Sequence, residues 1–290
     1  MARHTGQGDC PLTGPALAAL QQDILGETTS LLQFGCRQSP VFVGESVRYQ
    51  EIIHYIAPPP EDIDAMLAGL RRFLEQTSGT SPILRAAVIS FGFVYLHPLA
   101  DGNGRVHRFL INDILRRDGL VPDPLILPIS AVLTDDPTER RRYDQLLDSI
   151  SKPLMAACRH LISFTPQRAR YPDGIESNID FTGIDLARPL WRYPDLAPHA
   201  LFLAELIKRS VTEQLHTESR YLRAYHRTRA AVKEIVEMPN AQIDRVLRVI
   251  EQNNGQLSNA LTKELPILQR PGLWDDIVTA VRTTMIEMKN

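Results

Sequence analysis

Two apolar segments that meet at a polar, glycine-bearing loop constrain this chain more than any other feature. Residues 82–96 are apolar nearly all the way round (Ile83, Leu84, Ala86, Ala87, Val88, Ile89, Phe91, Phe93, Val94, Leu96), which predicts a buried central helix. Ser81 supplies its N-cap and Pro82 its first position. Residues 105–117 carry Val106, Phe109, Leu110, Ile114 and Leu115 at helical spacing and run out near Gly119. A second core helix therefore starts where the loop's glycines sit.

The loop reads His97-Pro98-Leu99-Ala100-Asp101-Gly102-Asn103-Gly104-Arg105-Val106-His107-Arg108. Gly102 and Gly104 can take positive φ without a Cβ penalty, so that successive backbone N–H groups form an anion-binding nest at a helix N-terminus. Arg105 and Arg108, three apart on the first turn, offer forked donors to phosphate oxygens. Asp101 makes sense beside an anion when Mg²⁺ lies between them, since one carboxylate plus phosphate oxygens is an ordinary Mg²⁺ environment. An unperturbed histidine titrates near neutrality, so His97 is expected to take a proton from an attacking hydroxyl. Singly these features are ordinary: a Gly-x-Gly is usually a turn, a His at a helix end a cap, an Arg pair solvated. Their concentration in twelve residues points to chemistry.

The same string resembles the signature of Fic-domain (Fic/Doc superfamily) proteins, His-Pro-Phe-x-Asp/Glu-Gly-Asn-Gly-Arg-x-x-Arg, matched at every position except Leu99, which stands for the phenylalanine. The resemblance implies a Fic-type helical bundle with a β-hairpin flap. It also implies a protein adenylyltransferase: AMP passes from ATP to a Ser, Thr or Tyr hydroxyl of a target protein and pyrophosphate leaves. Under it His97 is the general base, Asp101 the Mg²⁺ ligand, and Asn103 with the Gly102 and Gly104 backbone the phosphate cradle. Arg105 serves the β-phosphate and Arg108 the γ-phosphate, and Tyr143 falls where related proteins place a tyrosine near the nucleoside. A half-buried core position is an equal reading of Tyr143.

Elsewhere the chain sets bounds. Its 290 residues suffice for a sizeable core, and a net charge of −2 gives no general reason to expect nucleic acid or an anionic membrane. Cys10, Cys36 and Cys158 are too few and scattered for a disulfide framework. With no signal-type segment and no membrane-length apolar run, the expectation is a cytoplasmic protein.

Residues 1–11 read as a flexible N-terminus and residues 12–165 as the catalytic domain, starting with one or two helical segments broken at Gly26. Val41-Phe42-Val43-Gly44 and Ile52-Ile53-His54-Tyr55-Ile56 predict a hairpin within about 38–57. The resemblance makes it the flap, where a target segment adds as a strand through backbone hydrogen bonds. A helix follows over 61–75, then helices over 138–151 and, after Pro153, over 154–164. Residues 166–198, rich in proline, read as an extended connector, and 199–290 as a helical C-terminal domain. There Arg220, Arg223, Arg227 and Arg229, interleaved with Glu218 and Glu234, read as a solvated face.

Many Fic proteins carry an inhibitory helix, Ser/Thr-x-x-x-Glu-Gly/Asn. The nearest string here, Thr283 to Glu287, ends in Met288 and fails the last position. The expectations are an inhibitory element on a separate antitoxin-like protein, one outside this sequence, or none; a divergent helix ending at Glu287 is a fourth. Partners besides a target protein include the chain itself, through self-modification. Two alternatives to adenylylation stay open: transfer of another phosphate-containing group (phosphoryl, another nucleotidyl or phosphocholine) on the same site, and a non-catalytic nucleotide-binding module.

Overall fold

A computed structural model describes residues 6, 8–26, 29, 31–48, 50–122 and 125–286. The protein is mainly helical, with two small β-hairpins among the described residues, and divides into two compact units between Ser210 and Val211. Among the described residues no helix is long and apolar enough to cross a membrane.

The first unit opens with α1 (Gly14–Leu25), which turns Leu17, Leu20, Gln21 and Leu25 inward. Strands β1 (Phe42–Val47) and β2 (Gln50–Ile56) pair antiparallel, with an irregularity between Val43 and Gly44. Helices α2 (Ile63–Gln76), α3 (Pro82–Leu96) and α4 (Asn103–Arg117) follow. The Ser81 hydroxyl caps α3 by accepting from the Leu84 N–H, and Ala86, Ala87, Ile89, Phe91, Phe93 and Leu96 are all buried. The central helix is where its composition requires it. On α4, Val106, Leu110, Ile111, Ile114 and Leu115 are at most 1% exposed, so the α3–α4 pair forms the heart of the core.

Short α5 (Ile129–Asp135) leads to α6 (Pro137–Cys158). The expected break at Pro153 is absent: α6 runs through it, because Ser151, Leu154, Met155 and Cys158 are buried on its inner side. Burial there outweighs the bond that proline cannot donate. The expected helix over 154–164 ends at Cys158 instead. A 3₁₀ turn then leads into β3 (Ile162–Arg170), paired with β4 (Glu176–Phe181). The register shifts between Phe164 and Ala169, which gives Pro166 a place outside the ladder. Residues 166–198 are thus no extended connector: they hold most of this hairpin and α7 (Ile184–Arg192).

Helix α8 (Ala197–Ile235) leaves the first unit for the second. Leu203, Leu206 and Ile207 belong to the first unit's core, and Val211 is 41% exposed. The boundary expected at 198/199 therefore lies about one helical stretch later. In the second unit, α9 (Asn240–Gln252), α10 (Asn259–Glu264) and α11 (Leu273–Ile286) enclose a separate core with Val232, Ile243, Val246, Leu261, Ile277 and Val281. Arg223 and Arg227 are exposed, and Arg229 pairs with Asp244; the side chains of Glu218 and Arg220 lie outside those described.

The expected flexible N-terminus is also corrected in part. Residues 1–5 and 7 lie outside the described residues, but the Gly6 N–H donates to Asp113 Oδ1 (2.7 Å), and Arg117 donates to the carbonyls of Gly8 and Asp9. A charged pair on α4 holds this segment down. Glu287, the end of the candidate inhibitory string, lies outside the described residues; Thr283 is exposed on α11.

Candidate active site

The site is built where α3 ends and α4 begins. His97 closes α3 in the left-handed region (φ 49°, ψ 53°), its N–H donating to the Phe93 carbonyl at 3.0 Å. A non-glycine residue there costs about 1–2 kcal/mol, so surrounding bonds must hold it. One does: Arg37 Nε donates to the His97 carbonyl at 2.7 Å. His97 Nδ1 lies 3.3 Å from the Val94 carbonyl, which assigns the proton to Nδ1 and leaves Nε2 with a lone pair. Burial, reinforced by the Arg37 charge, lowers the His97 pKa to about 4. The ring is neutral at physiological pH.

The loop is tied down at successive points. Cys36 and Leu99 form an isolated antiparallel bridge, and the Arg37 N–H donates to the Pro98 carbonyl at 2.8 Å. Leu99 is fully buried, so the leucine anchors the loop in the core. Gln21, fully buried on α1, donates to the Asp101 carbonyl (2.8 Å) and accepts from the Gly35 N–H (2.7 Å). Asn103, expected in the phosphate cradle, spends its side chain otherwise. It accepts from the Leu99 N–H (3.0 Å) and donates to the Leu99 carbonyl (2.7 Å), 3% exposed. Its amide is a brace closing the loop on itself.

Gly102 takes φ 91° and ψ 1° just before α4, a conformation natural only for glycine. Its N–H donates to Asp101 Oδ1 at 2.6 Å. The next two backbone N–H groups, of Asn103 and Gly104, have no partner among the described residues. They open from the start of a 15-residue helix, where an anion is favoured by both hydrogen bonding and the helix dipole.

Around this opening, Asp101 and Arg105 are exposed and Arg108 half-buried. Arg105 reaches the Ile24 carbonyl at 3.4 Å, and among the described residues no carboxylate forms an ion pair with either arginine. No cluster of three or more His, Cys, Asp or Glu able to hold a metal occurs among them either. A single exposed carboxylate beside open N–H groups fits a cation shared with phosphate oxygens. Tyr143 lies in an aromatic cluster with Phe91, His107 and Phe202, at centroid distances of 6.0–6.1 Å. Burial pushes its hydroxyl up to about 12, against the nearby Arg108 charge. These contacts are those of a core tyrosine.

On the hairpin, the Val41 carbonyl accepts from the Ala57 N–H (3.1 Å), Phe42 and Val43 pair with Ile56 and Tyr55, and Gly44 pairs with Ile53. A Cβ on Gly44 would stand 2.3 Å from the Ile52 carbonyl oxygen, so only glycine fits this bulge. Val43 is 42% exposed. Phe42 meets Phe164 of β3 edge-on at 6.0 Å, which brings the second hairpin against the first.

Sequence reading missed Gln21, Arg37 and Asp173. A polar residue between Leu17 and Leu25 on an apolar face marked Gln21, whereas Asp173 showed only as part of a Pro-Asp-Gly turn. Nothing local marked Arg37.

Residues 11–115 match the model of the Fic/DOC family. The proteins named Protein adenylyltransferase Fic from Drosophila sechellia and Drosophila melanogaster are each 32% identical over 111 residues, which is 38% of this chain and 20% of theirs. That of Drosophila mojavensis is 31% identical over the same shares. The match thus spans about a fifth of the length of these curated relatives. A solved structure titled as a Fic domain containing signaling protein from Bacteroides thetaiotaomicron overlaps at a TM-score of 0.34 and 19% identity, over 73% of this chain and 68% of that one, too loosely for residues to be compared.

Proposed function

We propose, from the match of residues 11–115 to the Fic/DOC family model, that the chain is a Mg²⁺-dependent protein adenylyltransferase, moving AMP from ATP to a Ser, Thr or Tyr hydroxyl of a target protein. The observation that carries this reading is the pair of open N–H groups at the start of α4, on the same twelve-residue stretch as Asp101 and the neutral His97. The named relatives are adenylyltransferases, which supports the choice of transferred group.

In the reaction, His97 Nε2 takes the proton of the attacking hydroxyl as its oxygen bonds to the α-phosphorus. The bond from that phosphorus to the bridging oxygen breaks, and pyrophosphate departs. Burial and Arg37 disfavour the imidazolium, and the phosphates of a bound nucleotide bring the compensating negative charge. The Asn103 and Gly104 N–H groups hold phosphate oxygens, Arg105 takes the β-phosphate and Arg108 the γ-phosphate. These preorganised donors face charge that grows on the leaving group. Asp101 would hold Mg²⁺, which neutralises phosphate charge. Exposed Val43 and the Gly44 bulge would receive the target segment as an added strand.

The test is label transfer from ATP to lysate proteins and to the chain itself, with α-labelled against γ-labelled ATP in Mg²⁺. Retained α-label that vanishes in His97→Ala is the expected result. Retained γ-label would make the protein a phosphotransferase. Tight ATP binding without either label would remove adenylylation as the reading.

A further inference from the structure

Arg37 stands outside the signature, yet it is one of the largest fully buried side chains, 2% exposed. Its side chain bonds to three main-chain carbonyls. Nε donates to His97 (2.7 Å), Nη1 to Ser39 (2.7 Å) and Nη2 to Pro58 (2.6 Å). Ser39 lies just before β1, Pro58 just after β2, and His97 is the end of α3. One planar group therefore touches the entry of the flap, its exit and the residue bearing the candidate base.

We propose that Arg37 is a positioning residue that fixes the flap and His97 to one frame, bringing a hydroxyl held on the flap into register with His97 Nε2. The proposal rests on the nucleotidyl-transfer reading of the site. A residue that only closed the flap would need Ser39 and Pro58. The bond to the His97 carbonyl is the additional one, and it bears on a residue already held in a strained conformation. Guanidinium suits the task because its donors diverge in a fixed plane, whereas a lysine ammonium is a single point on a flexible stem. Asp173 supplies an internal comparison: it grips the flap's entry at Gln38 and Ser39, with no hydrogen bond to His97.

The experiment compares full-length wild type, Arg37→Lys, Arg37→Gln and Asp173→Ala by amide hydrogen exchange and by α-label transfer at saturating ATP. Arg37→Gln is expected to speed exchange roughly tenfold in both 39–57 and 97–104. Asp173→Ala should speed it near 38–44 alone. Arg37→Lys keeps the charge but not the fork, and should lower the turnover of transfer roughly 10- to 100-fold with ATP affinity unchanged. Faster exchange in only one segment, uniform loosening of the protein, or wild-type turnover in Arg37→Lys would each overturn the proposal. If Arg37→Gln does not fold, Arg37→Lys decides by the same exchange pattern. A wild type that binds ATP but labels nothing would sink the transfer reading, while exchange still decides whether Arg37 joins the two segments.

Discussion

Arg37 and Asp173 hold Ser39 between them. The Asp173 carboxylate accepts from the Ser39 N–H (3.0 Å) and hydroxyl (2.8 Å), while the Arg37 guanidinium donates to the Ser39 carbonyl (2.7 Å). Both side chains are buried. The hairpin thus grows from a root clamped at Ser39.

Asp173→Ala strips the acceptor from the Gln38 and Ser39 N–H groups and should cost about 2–4 kcal/mol, read as a lower urea midpoint. The acid limb follows from the same bonds. Burial opposes ionisation of Asp173, but hydrogen bonds from the Ser39 hydroxyl and the Gln38, Ile175 and Ser39 N–H groups hold its pKa below the usual carboxylate value. Its contribution is complete above the unfolded value and disappears as pH falls through the folded one. The Asp173→Ala stability deficit should therefore shrink at low pH.

Asn103→Ala should destabilise the protein by about 2–4 kcal/mol, because it orphans the buried Leu99 N–H and carbonyl together. Urea denaturation without nucleotide checks this. Unchanged stability alongside weakened ATP binding would return the amide to the phosphate cradle.

Gly44→Ala drives a methyl group against the Ile52 carbonyl. The strand must shift, at about 1–3 kcal/mol. Transfer to targets should fall with ATP binding intact, as measured by label incorporation and calorimetry.

Burial lowers both His107 and His199 to about 4, and both are at most 1% exposed. The unfolded chain takes up protons near pH 6.5 and the folded one near 4, so stability is lost as pH falls through that window. His107 should account for up to about 2 kcal/mol between pH 7.5 and 5. Urea midpoints at pH 7.5 and 5 should differ less in a His107→Gln variant.

Glu287→Gly should leave the transfer rate unchanged if Arg108 is free to hold the nucleotide. A large rise in initial rate would make the Thr283-to-Glu287 string an inhibitory element.

The parts legible in the sequence were those whose cause is local. Ser81-Pro82 and ten apolar residues specify α3, and the Gly102 conformation follows from a glycine before a helix. The Val43–Gly44 strand showed in its β-type run. Pro153 misled because core packing around Leu154 and Met155 overrides a local preference. The second hairpin was obscured by Pro166 and Pro172, whose tolerance depends on a register shift that only pairing reveals. Arg37 and Asp173 were invisible because their partners lie up to 135 positions away. The candidate site was written in twelve consecutive residues, its scaffolding across the chain.

The late position of Asp173 bears on how the protein is made. The flap and signature loop leave the ribosome well before Asp173, which roots Ser39, and before Trp191, whose indole N–H donates to the Ile56 carbonyl at 3.1 Å. A nascent chain ending near residue 115 already holds the signature but lacks the flap's outer fastenings. The fastening of the hairpin should thus mature last during synthesis, and a fragment trimmed to residues 11–115 would carry the signature loop with a loosened hairpin.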